Sequence, residues 1–443
     1  MVFSLVAHFR ADTSRENPVL PAGRRFFYYT EKRNVVPKTG TTTLREPSMG
    51  KPAFSVIRHR SAAMSVQRFH RFARRHLAAL ALAGLSGAAG AQNVVVGATV
   101  PLTGPLSLTG KQYYNSLKLA EDDINKAGGL QGKPVKFVFE DAQASNGTAV
   151  NAYVKLVQEN KPAFTFLTSY STQNIAVAPE VTKTGIPAMY AGGADAVGEL
   201  GNPWMFRIRP QDSTAAVAMA RFVKDELKLA KPGILYIQND FGQGGANAAA
   251  AYLKEQGIAA VGMEAYGQND KDMSAQILGL KNKGADVILA FVYPQDGAML
   301  LRQIKMLGIK QPVVASSAAF VPAAMQLLSP RDLENVWGVI DTYLPATERG
   351  KAYAERFKQR FSMDADPYGA AYYDGAMLMA QAINAVGTEP QKLQAYLKNV
   401  KDYQGVSHVY GFDAKGNGVH DVAVVKFADG SKDMRFISAI KVD

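Results

Sequence analysis

Between Phe164 and Pro179 the chain reads FTFLTSYSTQNIAVAP, and its middle gathers Ser169, Tyr170, Ser171 and Thr172. A hydroxyl-rich turn between a strand and a helix suits a carboxylate or another small anion. Ser and Thr oxygens stand there beside backbone N–H groups that no intrahelical carbonyl satisfies. The same hydroxyls cap helices, and capping is the commoner role of such residues. Asp212 follows Pro210 at the junction between two halves of the chain, where helix capping and ligand contact are both open. Tyr293 and Asp296, in FVYPQDG, follow a buried strand and open a helix, the place where an open α/β sheet presents its ligand contacts. Tyr293 offers a packing face and a hydroxyl, and Asp296 a contact or a cap.

Residues for covalent or metal chemistry are scarce. The chain has no cysteine and six histidines, of which His8, His59, His70 and His76 precede Gln92. His408 and His420 remain, and neither lies in a nucleophile or metal motif; His420, in GNGVHD, is expected on a surface loop. No phosphate-binding loop, HExxH or GxSxG sequence occurs. Gly242-Gln243-Gly244-Gly245 lacks the third glycine of a dinucleotide fingerprint, since Asn247 stands in its place, and reads as a tight loop feeding a helix. Asp122-Asp123 reads as the solvated face of a helix. The expectation is a binding protein rather than an enzyme, without cofactor or metal; a secreted hydrolase lacks its nucleophile-base constellation.

The net charge of +12 is concentrated at the start. Residues 1–91 carry 15 Lys+Arg against 4 Asp+Glu, and the rest of the chain carries 35 against 34. A near-neutral body leaves no basic footprint for nucleic acid. Residues 64–91 combine a basic region (Arg68, Arg71, Arg74, Arg75), an apolar core from Leu77 to Leu85 and a small-residue exit at Ala89-Gly90-Ala91. That is a secretory signal pattern, with Gln92 as the expected first mature residue. Its core is far shorter than the roughly 20 residues a membrane-spanning helix needs. Residues 1–63 precede a natural start at Met64 and read as a non-native or disordered extension.

From Asn93 strand-like and helix-like segments alternate, which implies parallel pairing and right-handed crossovers. One series runs from Val94 to Tyr190 and a second begins after Arg209-Pro210-Gln211-Asp212; period-2 alternation in 422–427 and 434–440 predicts terminal β-hairpins. The fold class is α/β, with two doubly wound lobes and a ligand crevice at the carboxyl ends of the strands.

PLTGPLSLTGKQYYNSLKLAEDDINKAGGLQGKPV, LTSYSTQNIAVAPEV, IPAMYAGG, FRIRPQDS, YPQDGAMLLRQIKMLGI and PYGAAYYDGAMLMAQAI occur in that order across residues 93–443. Together they resemble the leucine/isoleucine/valine-binding protein family, the type I periplasmic solute receptors of ABC importers. The resemblance implies two lobes, 93–210 plus 347–400 and 211–346 plus 401–443, joined by a three-stranded hinge that closes on the ligand. Carried over, Ser169, Tyr170, Ser171 and Thr172 with Gly192, Gly193 and Ala194 hold a carboxylate, while Asp212 and the lobe-two aromatic Tyr293 serve the ammonium and side chain. The chain departs from the family at two places. Ala194 stands where a Thr hydroxyl would join the carboxylate contacts, and Ser316, Ser317, Ala318 and Ala319 stand where a Glu would meet the ammonium. A buried ammonium lacking that partner costs several kcal/mol, which brings acids without the amine in beside branched-chain amino acids as ligands. The resemblance further implies a monomeric periplasmic receptor that delivers its ligand to an ABC permease; a sensor presenting its closed form to a signalling partner is the alternative.

Overall fold

The computed structural model describes residues 92–441; the expected leader at 64–91 and the stretch 1–63 lie outside them. Two parallel sheets share one strand order. The first contains β1 (Val94–Val100), β2 (Val135–Asp141), β3 (Phe164–Phe166), β4 (Ala188–Tyr190) and β5 (Met205–Arg207), arranged β2-β1-β3-β4-β5. The second contains β6 (Pro232–Ile237), β7 (Gly262–Tyr266), β8 (Val287–Phe291), β9 (Val313–Ser316) and β10 (Val336–Ile340), arranged β7-β6-β8-β9-β10. Between the lobes' sequences lies a small antiparallel sheet of β11 (Tyr403–Gln404), β12 (Val409–Phe412) and β13 (Gly418–Val419). The terminal hairpin, β14 (Val422–Phe427) and β15 (Met434–Ile440), extends the second sheet antiparallel to β10.

Continuous apolar strands with helices on both faces produce this arrangement. All five residues of β8, VILAF, are buried, as are Val96, Ala98 and Val100 of β1. Two core clusters flank the first sheet. One is built with the helices Ser107–Lys126 and Pro367–Val386, the other with Asn146–Asn160 and Ser171–Thr184. Gly97 of β1 allows the close approach of the second group, because a Cβ there would lie 2.6 Å from Leu156 Cδ2. Three segments, 208–211, 341–347 and 401–421, carry the chain between the lobes. In the last of these, Tyr410 and Phe412 pack into the first lobe's core, and the carbonyl of Gly416 accepts the Arg207 N–H at 2.8 Å.

Three local expectations are corrected. Gly242 to Gly245 lie inside the helix Asp240–Glu255 rather than in a loop before it. The Asn239 side chain caps that helix by accepting the Gly242 N–H at 3.0 Å, and Gly242 is needed for packing, since a Cβ there would lie 2.1 Å from the Ile237 carbonyl oxygen. His420 is buried rather than on a surface loop, its ring stacked on that of His408 with centroids 3.4 Å apart. Asp123 is no simple solvated residue: its carboxylate is held by Arg356 and by the Tyr373 hydroxyl. The short helix Asp195–Glu199 and β5 gave no periodic signal, since neither is longer than five residues.

Candidate ligand-binding cleft

In both sheets the strand order reverses beside the first strand, at β1/β3 and at β6/β8, and the turns following β3 and β8 meet across the interlobe cleft. Tyr170 from the first turn and Tyr293 from the second touch edge to face, with centroids 5.5 Å apart. Phe241 stacks on Tyr293 at 5.4 Å, and the Asn239 amide donates to the Tyr293 hydroxyl at 3.0 Å. Tyr113 and Tyr368 complete an aromatic lining. The space between these residues has a volume of about 30 Å³, too small to hold an amino acid unless the lobes move apart. A hydrogen bond from the Gln295 side chain to the Pro105 carbonyl, 2.9 Å, ties the lobes at the mouth of the cleft.

The hydroxyl turn is braced from several sides. The Asn174 amide donates to the Thr168 carbonyl at 3.1 Å while its oxygen accepts the Gly192 N–H, also at 3.1 Å. Gln173 donates to the carbonyls of Ala142, Gln143 and Ser145. Tyr170 occupies the N-cap position of the helix Ser171–Thr184, and no side chain caps it. Ser171 is the first helical residue, and its Oγ accepts the Ala194 N–H at 3.0 Å, which binds this turn to the segment after β4. Ser169 Oγ is 2.5 Å from the Tyr113 hydroxyl. The Tyr170 hydroxyl is buried without a partner, and burial pushes its pKa well above the usual phenol value.

A cluster of buried charges closes the cleft at the hinge. Arg209 donates from Nε and Nη2 to Asp341, at 2.5 and 3.0 Å, and from Nη1 to Oδ1 of Asp212 at 2.9 Å. Its guanidinium also lies over the Tyr368 ring at 5.3 Å. Burial works against the Arg209 charge, and the carboxylates of Asp341 and Asp212 outweigh it, holding the group protonated. Burial raises the Asp212 pKa and Arg209 opposes the rise. Oδ2 of Asp212 is buried with no hydrogen-bond partner. Two carboxylates around one guanidinium, with one oxygen left unpaired, favour a hydrogen-bond donor or a cation from a ligand.

A second buried guanidinium does a different job. Arg207, 0% exposed, donates from Nη1 to the Gly192 carbonyl at 2.9 Å, from Nη2 to the Ala194 carbonyl at 3.0 Å and from Nε to Asn417 at 3.1 Å. It fixes the 192–194 turn from behind.

Of the residues singled out in the sequence, Ser169, Tyr170, Ser171, Gly193 and Tyr293 line the cleft together. Gly193 must be glycine at this contact, since a Cβ would lie 1.9 Å from Arg209 Nη1 and 2.0 Å from Asp212 Oδ1. Gly192 and Ala194 stand behind the lining, engaged by Asn174, Ser171 and Arg207. Asp212 sits in the charge cluster rather than capping its helix, whose N-cap is Gln211 with no side-chain bond. Thr172 is half-buried and does not line the cleft, and Ser317 lines a separate cavity, leaving its neighbour Ala318 in the cleft. Asp296 accepts the Tyr266 hydroxyl at 3.0 Å, and burial pushes its pKa up to about 6. Sequence reasoning passed over Arg207, Arg209, Asp341, Phe241 and Tyr368. Arg207 and Arg209 left one signal, two cations at strand spacing in an otherwise apolar FRIR run. Among the described residues no group of three or more His, Asp or Glu side chains is placed to hold a metal ion.

Two doubly wound α/β lobes closing on a hinge-side cleft define the type I periplasmic binding fold. A periplasmic binding protein family model matches residues 93–432, and the chain belongs to that family, whose members are substrate-binding proteins rather than enzymes. An amino acid binding protein of Pseudomonas aeruginosa is 26% identical over 366 residues, 81% of this chain and 97% of the relative. A Leu/Ile/Val-binding protein homolog of Brucella abortus is 26% identical over 373 residues, 79% of this chain and 92% of the relative. Among solved structures, a leucine-binding protein from Thermotoga maritima superposes with a TM-score of 0.72 at 20% identity, covering 79% of this chain and 99% of that one. An ABC transporter substrate-binding protein from Desulfitobacterium hafniense, solved in complex with Leu, gives 0.67 at 23% identity, covering 78% and 100%. The family resemblance and the two-lobed α/β class read from the sequence are both borne out.

Proposed function

We propose that the protein is the periplasmic receptor of an ABC importer, and that its lobes close on a small carboxylate-bearing solute, a branched-chain amino acid or a related organic or aromatic acid. The relatives' descriptions as amino acid and Leu/Ile/Val-binding proteins support this class. Export through residues 64–91 and delivery to an inner-membrane permease complete the reading. The carboxylate is held by the Ser169–Ser171 turn, where the first N–H groups of the helix lack intrahelical acceptors. The single observation that carries the choice among ligands is the buried, unpartnered Oδ2 of Asp212. It supplies in the charge cluster the acceptor for an ammonium that the Ser316–Ala319 turn does not, and this favours a ligand carrying an amine.

The test is thermal unfolding of the purified protein against a panel of amino acids, amides, and aromatic and aliphatic acids. A ligand at about 100 times its dissociation constant stabilises the fold by about 2.7 kcal/mol. Stabilisation by leucine or a relative supports the proposal in full. Stabilisation only by acids lacking the amine retains the receptor and removes the ammonium role from Asp212.

A further inference from the structure

We propose a second small-molecule site, separate from the cleft, in the cavity that Ser317 lines. It has a volume of about 560 Å³, within the range of pockets that hold small organic ligands. Its walls come from all three parts of the molecule: Phe320 and Met325 from the second lobe, Tyr343 and Leu344 from a crossover segment, and Met363 and Ala365 from the loop before the helix Pro367–Val386 of the first lobe. Ser317–Ala318 and Pro367–Tyr368 form the partition from the cleft, one residue of each pair facing either space. Three of the wall residues, Met325, Met363 and Met434, are methionines, which adapt to ligands of differing outline.

Charge selects the occupant. Lys432 stands at the rim, its Nζ fixed by donation to the carbonyls of Met325 at 3.0 Å and Leu328 at 2.8 Å. Two bonds leave the ammonium one further donor, and among the described residues Lys432 has no carboxylate partner. Asp364, the carboxylate on the lining, is neutralised by Lys358 at 2.9 Å. An apolar chamber with one uncompensated cation at its edge fits a small amphipathic anion: an aliphatic or aromatic body in the chamber, and a carboxylate or sulfonate on Lys432. Because both lobes and a crossover build the walls, the occupant's affinity depends on lobe closure. By linkage, its binding alters the affinity of the cleft.

Anilinonaphthalene sulfonate is the probe, titrated by fluorescence against the folded full-length protein with no cleft ligand present, so the result does not depend on the cleft's own specificity. The expected result is one saturable site. Lys432→Glu, a surface change, weakens it by at least about tenfold, and Ala365→Trp, which fills the chamber, abolishes it with the far-ultraviolet circular dichroism unchanged. Equal affinity in wild type and Lys432→Glu overturns the proposal, as does loss of the signal in Tyr293→Ala with Lys432→Glu unaffected, which would place the probe in the cleft.

Discussion

Asp212 gives one carboxylate oxygen to Arg209, 2.9 Å from Nη1, and keeps the other buried with no partner. The arrangement is incomplete as a structural ion pair, and in the proposed function the free oxygen meets the amine of the ligand. Asp212→Asn should therefore separate ligand classes. Affinity for amine-bearing ligands should fall by about 2 kcal/mol, the scale of a charge-assisted hydrogen bond, and affinity for acids without the amine should stay level or rise. Isothermal titration with a matched pair, an amino acid and its deamino analogue, reads the difference directly; equal losses for both would sink the ammonium role.

Ser171→Ala removes the acceptor of the buried Ala194 N–H. An orphaned buried donor costs about 1–3 kcal/mol, so the midpoint of urea unfolding should drop even without ligand. Carboxylate affinity should drop as well, since the turn after β4 loses its tie to the helix start. A variant of unchanged stability would mean that this hydrogen bond contributes nothing.

Gln295→Ala tests the tie at the cleft mouth. The bond to Pro105 is exposed and joins the two lobes, and one hydrogen bond is worth about 1 kcal/mol. Ligand dissociation measured by stopped flow should accelerate by up to about fivefold, with the unliganded melting temperature unchanged.

Stability should carry a signature of the stacked imidazoles. Burial lowers the His420 pKa to about 4 and drives that of His408 well down as well, with Arg209 close enough to add to the effect on both. Unfolding restores ordinary values near 6.5, so the unfolded chain binds more protons between about pH 6.5 and 4 and stability is lost as pH falls through that window. Asp366 and Asp374 act in the opposite sense, burial raising them to about 7 and about 6, so the histidine contribution is read as a difference. Between pH 7 and pH 4, His420→Gln should lose roughly 3 kcal/mol less than wild type. Parallel pH profiles for the two proteins would refute the assignment.

Much of this was legible from the chain alone. Alternation of apolar runs identified both α/β lobes, because parallel strands covered on two faces leave continuous signals such as VILAF. The FTFLTSYSTQ stretch identified the cleft because a period change and a cluster of hydroxyls coincide there. What stayed hidden depends on distance along the chain. Asp341 lies 132 residues from Arg209, and Asn417 lies 210 from Arg207; no local pattern joins such pairs. The imidazole stack was missed for the same reason, since a histidine beside a glycine turn reads as surface until the strand that covers it is known.

Arg207 gives its three described side-chain bonds to the main-chain carbonyls of Gly192 and Ala194 and to the Asn417 side chain. A turn held through its backbone is insensitive to which side chains surround it, and any replacement at Arg207 would strand those carbonyls. The first lobe is thus poorly placed to diversify, whereas Phe241, Tyr293 and Ala318 of the second lobe sit on the opposite wall with no described side-chain bond to a main-chain carbonyl. Were this scaffold put under selection for a new cargo, tolerated changes should accumulate on that wall while the 192–194 turn persisted as an inherited constant.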